Sequence, residues 1–204
     1  MQLIGMLDSP YVRRVAISMK LMGLPFEHRS ISVFRHFAQF QEINPLVKAP
    51  TLVCDDGEIL MDSSLIIDHV GSLVAPGNRL MPEGEKSQRN ALKHIGVALV
   101  ACEKAVQRYY ELNLRPEEKQ HAPWLERVTA QMCTAFAELD RVVAGAQPWL
   151  HGERMMQDDL TIAVAWRFAQ FVTPGPLPSA SYPALVEFSR RAEALQEFIS
   201  SPLE

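Results

Sequence analysis

The 204-residue chain has little cysteine, no long apolar run and no surplus of positive charge. Its three cysteines, Cys54, Cys102 and Cys133, are odd in number and widely spaced, which fits neither a disulfide framework nor a Cys-x-x-Cys metal site. No apolar stretch approaches the roughly 20 residues that span a bilayer, and no secretory signal is recognisable. The net charge of −4 does not favour nucleic acid or an anionic membrane as a partner. We therefore expect a cytoplasmic protein with free, buried thiols.

The composition is that of an ordinary globular protein, with 48% hydrophobic and 22% charged residues. A chain of this length can bury a sizeable core in one large or two small domains. The adjacent Arg13 and Arg14 are too few for a basic patch. We predict that they lie on a solvated helix face.

The first 75 residues alternate short apolar runs with helical patterns. "QLIGM" is predicted as a strand, and the apolar spacing from Val12 onward predicts a helix that stops at Gly23. Further on, "TLVCDDGEILMD" is predicted as a hairpin whose turn is Asp56-Gly57. The predicted order is β-α-β-α-β-β-α, a mixed α/β unit over residues 1–75.

A linker rich in proline, glycine and charge follows at residues 76–85, and the β pattern then disappears. Residues 86–204 are predicted to form an all-helical domain. Within it, "DLTIAVAWRFAQFV" is apolar nearly all round, which is typical of a buried central helix. Helical spacing predicts the buried faces of two long helices, formed by Leu92, Ile95, Leu99, Cys102, Val106 and Tyr109 in the first and by Leu125, Val128, Met132, Phe136, Leu139 and Val143 in the second.

Three loops of the first domain carry the candidate chemistry. Ser9 and Pro10 begin a helix, where a hydroxyl and the helix dipole favour an anion. Pro50 stands directly before a strand, where an X-Pro bond is a candidate for the cis form and a strand edge can pair with an extended ligand. Asp62 and Ser63 begin another helix, whose first-turn amides suit a carboxylate. Each residue alone also fits a plain structural role as a cap or turn residue.

In order and spacing, these stretches resemble the glutathione S-transferase family over essentially the full chain. "SPYVRR" is similar to the Ser/Cys-Pro-Phe/Tyr helix start of bacterial, omega-like and nu-like members, and "NPLVKAPTL" to the family's Asn-Pro-x-Gly-x-Val-Pro-x-Leu stretch. "LMDSSLIIDHV" resembles the segment that grips the γ-glutamyl end of glutathione, and "DDLTIAVAWRF" the N-capping segment of the second domain's central helix. The resemblance implies a thioredoxin-like N-terminal domain followed by an all-α C-terminal domain.

The same resemblance implies a site for glutathione as co-substrate. By that likeness, Ala49 pairs its backbone with the cysteinyl residue of glutathione, beside a cis Pro50. Asp62 and Ser63 hold the γ-glutamyl ammonium and carboxylate groups. Lys48 binds the glycyl carboxylate or has a structural role.

Ser9 is the predicted catalytic residue. Its hydroxyl would donate to the sulfur of glutathione, and the helix N-terminus would also favour the thiolate over the thiol. Tyr11, Tyr109 and Tyr110 are candidates for the pocket that holds the electrophile. Phe168 is a further candidate, but helical spacing favours core packing over a pocket role for Tyr109 and Phe168.

The chain departs from the family pattern in three places. Val12 stands where glutaredoxins have a second cysteine, which argues against disulfide exchange through a protein thiol. Val47 stands where the family usually has glycine, so the loop before Pro50 is expected to take a different path. Thr161 stands in place of the usual capping aspartate, and we predict that Asp158 and Thr161 form a weaker capping box.

We expect an enzyme that reacts the glutathione thiolate with a small electrophile. The alternative is a non-catalytic binding or regulatory protein of the same fold that acts through protein partners. The six histidines show no metal-ligand spacing, and His69 is predicted as a core residue, so we predict no metal site. Family likeness also implies a homodimer, in which the helix after Ser63 packs against the first long helix of the partner's second domain.

Overall fold

The computed structural model describes residues 1–203, which divide into two compact units. The first unit contains Met1–Leu80 together with the described residues from Leu195 onward, and the second contains Met81–Ala194. The closing segment therefore groups with the α/β unit, whereas the sequence assigned it to a helical domain over residues 86–204. No helix in residues 1–203 is both long and apolar enough to cross a membrane.

Residues 1–80 follow the predicted β-α-β-α-β-β-α order. The strands form a sheet in the order β2-β1-β3-β4, in which β1 and β2 are parallel and the other two pairs are antiparallel. The elements are β1 (Gln2–Ile4), α1 (Pro10–Leu21), β2 (Glu27–Arg29), α2 (Phe37–Ile43), β3 (Thr51–Val53), β4 (Ile59–Met61) and α3 (Ser63–Ser72).

Local signals account for the ends of these elements. Ser9 is the N-cap of α1 and Pro10 its first residue, as the sequence predicts. Gly23 takes the left-handed φ of 71° just beyond the end of the helix. The predicted Asp56-Gly57 turn joins β3 to β4, with Gly57 at a φ of 90° and the Asp56 carboxylate accepting from the Glu58 amide at 3.1 Å.

The prediction of a solvated face for Arg13 and Arg14 is wrong, because these side chains are only 1% and 2% exposed. The helix α8 (Gln196–Ile199) packs against α1 and covers it. Arg13 donates through Nε to the carbonyl of Ser201 at 2.8 Å and lies 5.5 Å over the ring of Phe198, which is fully buried. These contacts join the closing segment to the first unit.

The second unit is helical throughout, as expected. Its helices are α4 (Glu85–Asn113), α5 (Ala122–Val143), α6 (Gln157–Val172) and α7 (Pro183–Glu193). Helix α6 is buried almost all round, which confirms the prediction of a central helix. The predicted face of α5 is also buried, except that Leu125 is only partly covered.

The predicted face of α4 is partly wrong. Leu92 is 60% exposed, whereas the buried stripe contains four alanines as well as Ile95 and Cys102. Small side chains let neighbouring helices approach closely, so alanine defines this interface without giving a strong hydropathy pattern. The alanines are Ala91, Ala98, Ala101 and Ala105.

The start of α6 is capped differently from the prediction. The carboxylate of Asp159, not the hydroxyl of Thr161, caps the helix: Oδ2 accepts from the Met156 amide at 2.9 Å, and Oδ1 accepts from the Leu150 amide at 2.8 Å. Thr161 instead donates to the carbonyl of Gln157, one turn back, at 2.6 Å. The capping box therefore begins two residues earlier in the chain than predicted, with methionine at the N-cap.

The neighbouring carboxylates of Asp158 and Asp159 have opposite pKa shifts. Burial raises the pKa of Asp159 to about 6, against the two backbone hydrogen bonds that favour its charged form. Burial also opposes ionisation of Asp158, but hydrogen bonds from His94 and His151, each at 3.0 Å, outweigh it and lower the pKa of Asp158.

Replacing Asp159 by asparagine is expected to destabilise the protein by about 1–3 kcal/mol, because an amide cannot accept from both buried backbone N–H groups. The effect depends on pH. The folded protein holds the Asp159 proton more tightly than the unfolded chain, whose aspartate pKa is about 3.9. The bound proton therefore makes its full contribution to the free energy of unfolding below that pH. This contribution is lost as the pH rises to about 6, the pKa of Asp159 in the folded protein.

Urea unfolding of the parent protein and of Asp159→Asn, at several pH values between about 4 and 7, measures this effect. The stability advantage of the parent is expected to shrink across this range. An advantage that grows with pH would contradict the raised pKa of Asp159.

Candidate functional site

The strand register brings the three predicted loops to one row of the sheet. Thr51 pairs with Ile4 on one side and with Met61 on the other. Ile4 ends β1, Thr51 begins β3 and Met61 ends β4. Beyond this row, β1 continues towards Ser9 and β4 continues into Asp62, and Pro50 leads directly into β3. The three loops therefore begin or end at the same row of the sheet.

Gly5 allows two of these loops to approach closely. Its φ is +137°, and a Cβ built there would lie 2.6 Å from Val12 Cγ2 and 3.2 Å from Ala49 Cβ. Val12 belongs to the first turn of α1, beside Ser9, and Ala49 precedes Pro50. A residue with a side chain at position 5 would push these two segments apart.

Ser9 sits half-buried at the start of α1, where the helix dipole is positive. Its Oγ accepts from the Val12 amide at 3.4 Å, which is long for a hydrogen bond. Since the oxygen acts here only as an acceptor, the hydroxyl proton remains able to donate to a ligand. The arrangement is a helix cap that can also serve an anion.

The peptide bond between Ala49 and Pro50 is cis, which confirms the candidate that the sequence singled out. The loop before it is braced by Thr51, whose hydroxyl donates to the Lys48 carbonyl at 2.6 Å and accepts from the Asn44 side chain at 2.8 Å. Ala49 precedes the first sheet pair, so its peptide groups lie outside the strand pairing. The Lys48 side chain is exposed.

Val47 adopts a φ of 48°, in the left-handed region that glycine enters freely and that a β-branched residue disfavours. The backbone thus keeps a glycine-type conformation although the glycine is absent. Packing compensates for this, because the Val47 side chain lies against the buried cluster of Ile4, Ile31 and Phe40.

Asp62 and Ser63 form the start of α3. Asp62 has a φ of 70°, and its Oδ1 accepts from the amides of Ser64 at 2.8 Å and Leu65 at 3.2 Å. The Ser63 side chain is buried, and its Oγ accepts from Nη1 of Arg14 at 3.0 Å. A carboxylate, a hydroxyl and a helix N-terminus therefore meet at one point, which suits a ligand with both an ammonium and a carboxylate group.

The buried contact between Arg14 and Ser63 was not predicted from the sequence. The stretch "VRRVAISM" does contain a signal for burial of this arginine, because apolar residues surround α1 instead of forming one stripe. A helix that is covered on nearly all sides must bury its arginines as well.

The three candidate tyrosines are divided between the units. Tyr11 lies half-buried in the first turn of α1, in the first unit. Tyr109 and Tyr110 lie in α4, in the second unit, with exposures of 38% and 42% and ring centroids 6.3 Å apart. The prediction of core packing is therefore wrong for Tyr109, whereas Phe168 is buried as expected.

His69 and two of the three cysteines are less buried than predicted. His69 is half-buried, with its Nε2 3.9 Å from the Cys54 sulfur. Cys102 is buried, but Cys54 and Cys133 are only half-buried, and none of the three forms a disulfide bond among residues 1–203. Among residues 1–203, no group of three or more potential ligands is placed to hold a metal ion.

Comparison with known proteins adds independent information. Residues 3–78 match the family model for the glutathione S-transferase N-terminal domain. Glutathione S-transferase U4 of Arabidopsis thaliana is 28% identical over 91 residues, 45% of this chain and 40% of that protein. Glutathione S-transferase 1 of Dianthus caryophyllus is 29% identical over 173 residues, 80% of this chain and 74% of that protein. The chain thus spans about two fifths of the Arabidopsis relative.

Solved structures extend the similarity to both units. A glutathione S-transferase of Methylobacterium radiotolerans, in complex with glutathione sulfonate, superposes with a TM-score of 0.90 at 27% identity. The superposition covers 98% of this chain and 93% of that structure.

Replacing Gly5 by alanine is expected to lower the free energy of unfolding by about 1–3 kcal/mol, because the new Cβ would meet Val12 and Ala49 at a φ that alanine rarely adopts. Gly71→Ala is the matched control. No atom lies within 4 Å of a Cβ at position 71, and Gly71 is inside α3, so that change is expected to stabilise by about 0.5–1 kcal/mol. Equal urea unfolding curves for the two variants would show that Gly5 is not required.

Proposed function

We propose that the chain is a member of the glutathione S-transferase family, that it binds glutathione in its first unit and that it reacts the glutathione thiolate with a small electrophile. The observation that carries the proposal is the row of Ile4, Thr51 and Met61, from which the three candidate loops extend. The Methylobacterium radiotolerans relative was crystallised with glutathione sulfonate, and a structure from Methylobacillus flagellatus with glutathione bound.

The γ-glutamyl end of glutathione carries an ammonium and a carboxylate, and the start of α3 complements both. The Asp62 carboxylate provides the negative charge for the ammonium. The Ser63 hydroxyl and the positive end of α3 suit the carboxylate.

The cysteinyl residue would pair with the backbone of Ala49 in the manner of an added strand. Ala49 is suited to this because it stands just outside the β3 pairing. Lys48, with its exposed ammonium, is the candidate for the glycyl carboxylate.

Ser9 would then act on the sulfur. A free thiol has a pKa of about 8.5 and is mostly protonated at neutral pH. A donated hydrogen bond and a helix N-terminus both favour the thiolate, and a pKa lowered by about two units corresponds to roughly 2.7 kcal/mol. Serine at this position supports conjugation over exchange through a protein disulfide. Tyr11 and the exposed pair Tyr109 and Tyr110 are our candidates for contacts to the electrophile, since aromatic faces suit apolar or aromatic substrates.

Three cysteines that form no disulfide among residues 1–203 suit a reducing compartment, and we propose a cytoplasmic location on this basis. Glutathione is abundant in such a compartment, where it maintains the thiol poise. In this compartment the protein would have access to glutathione, its proposed co-substrate.

Isothermal titration with glutathione tests binding, and the thiolate absorbance of the complex across pH tests the role of Ser9. We expect Ser9→Ala to raise the pKa of the bound thiol and to slow conjugation, with affinity nearly unchanged. Ser200→Ala, an exposed serine in the closing segment, is the control and should leave both unchanged. An identical thiol titration in Ser9→Ala would remove Ser9 from the mechanism. No binding at millimolar glutathione would favour the non-catalytic alternative that acts through protein partners.

A homodimer is the assembly that we propose. Leu65 and Leu73 of α3 are 67% and 52% exposed, so this short helix presents two large apolar side chains that a partner surface can cover. The second unit carries a groove of about 570 Å³ along α4 and α5, lined by residues that include Val97, Val100 and Ala130. The leucines of α3 in one copy suit the apolar residues of this groove in the other, although the lining also contains the Lys93–Glu138 ion pair.

Sedimentation tests this assembly, with a mass of twice 22.9 kDa expected for the parent. Leu65→Glu or Val100→Glu is expected to give monomers, because each would bury an unpaired charge in the interface. Leu46→Glu alters an exposed leucine outside both surfaces and should leave the dimer intact. A monomeric parent protein at micromolar concentration would contradict the proposal.

A further inference from the structure

The Arg14 side chain links α1 to the start of α3. It is buried, and its Nη1 lies 3.0 Å from Ser63 Oγ and 3.1 Å from Ser64 Oγ. One guanidinium nitrogen thus contacts both hydroxyls of the first turn of α3. These residues belong to the segment that would receive the γ-glutamyl group.

The direction of these hydrogen bonds is unambiguous. A guanidinium nitrogen can only donate, so both serine oxygens accept from Arg14. Each hydroxyl proton must then point away from the guanidinium. A hydroxyl that accepts from a cation is also polarised and becomes a stronger donor in its turn.

The surroundings of Ser63 narrow the possible acceptors for its proton. The Asp62 carboxylate caps the helix by accepting from the amides of Ser64 and Leu65 through Oδ1. Ser63 itself is the first residue of α3, at the positive end of the helix dipole. An acceptor with negative charge is therefore favoured at this hydroxyl.

We propose that Arg14 is a positioning residue for the substrate: it orients the Ser63 hydroxyl as a donor to the α-carboxylate of the γ-glutamyl group and adds positive charge behind it. The inference rests on the proposed function, because it concerns how that glutathione site recognises its ligand. Since the guanidinium is buried, salt screens its effect little, in contrast to the exposed ammonium of Lys48.

Arg13 is a matched control within the same helix. It is as deeply buried as Arg14, but its contacts are with the Ser201 carbonyl and the Phe198 ring. Removing either guanidinium should destabilise the first unit. Only the loss of Arg14 should change how the ligand carboxylate is recognised.

The experiment compares two ligands in each variant: glutathione and its analogue 4-aminobutyryl-cysteinyl-glycine, which lacks the α-carboxylate. The measured quantity is the ratio of the two dissociation constants, determined by calorimetry on folded protein. We expect the preference for glutathione to fall at least about tenfold in Arg14→Met and to be retained in Arg13→Met. In a Ser63→Ala background, Arg14→Met should have a smaller effect than in the parent protein, because only the contribution of the Arg14 charge is then left to lose.

Arg14→Lys is the second variant if Arg14→Met does not fold. It keeps a charge but loses the planar fork, so its preference for glutathione is expected to fall measurably below that of the parent protein. An unchanged preference in folded Arg14 variants, or an equal loss in Arg13→Met, would overturn the inference while leaving glutathione binding intact. Failure of the parent protein to bind glutathione would overturn the proposed function and this inference together.

Discussion

The pairing of Thr51 with both Ile4 and Met61 is the constraint on which the candidate site depends. Each strand contributes only three residues, so the row is short, and the loops at its edge have little freedom once the pairing forms. Gly5 then lets the first turn of α1 lie against Ala49. Three segments that are distant in sequence thereby meet, and each contains an unusual backbone feature: Gly5 in the first, Val47 and the cis Ala49–Pro50 bond in the second, and Asp62 in the third.

Helix α1 is held from two directions by buried cations. Arg14 reaches α3, and Arg13 reaches the closing segment, where Lys20 adds a hydrogen bond to the Ser200 carbonyl at 2.6 Å. A buried charge is expensive unless it is hydrogen-bonded, so the contacts of Arg13 and Arg14 tie the position of α1 to specific neighbours. The helix that carries Ser9 is consequently anchored by polar contacts as well as by its apolar faces.

Local stability is modest at the residues proposed to meet glutathione. The Ser9 side chain accepts one long hydrogen bond, and Asp62 and Val47 occupy a backbone region that their side chains disfavour. The hydroxyl of Ser9 is left able to donate, and Asp62 places its carboxylate at the head of α3. The rest of the first unit, with its buried cluster around Phe40, supplies the stability that these positions lack.

The sequence alone determined the order of the elements, the Ser9 cap, the Asp56-Gly57 turn and the buried centre formed by α6, because each depends on local backbone chemistry or on a strong apolar pattern. It also singled out the cis bond before Pro50. Tertiary structure decided the burial of Arg13 and Arg14, the exposure of Leu92 and Tyr109, and the capping of α6 by Asp159. These outcomes depend on which element packs over a given helix face and on which side chain reaches a given backbone amide. The closing segment illustrates the reason, since its contacts with α1 join residues 180 and 188 positions apart, a separation at which no local pattern carries information.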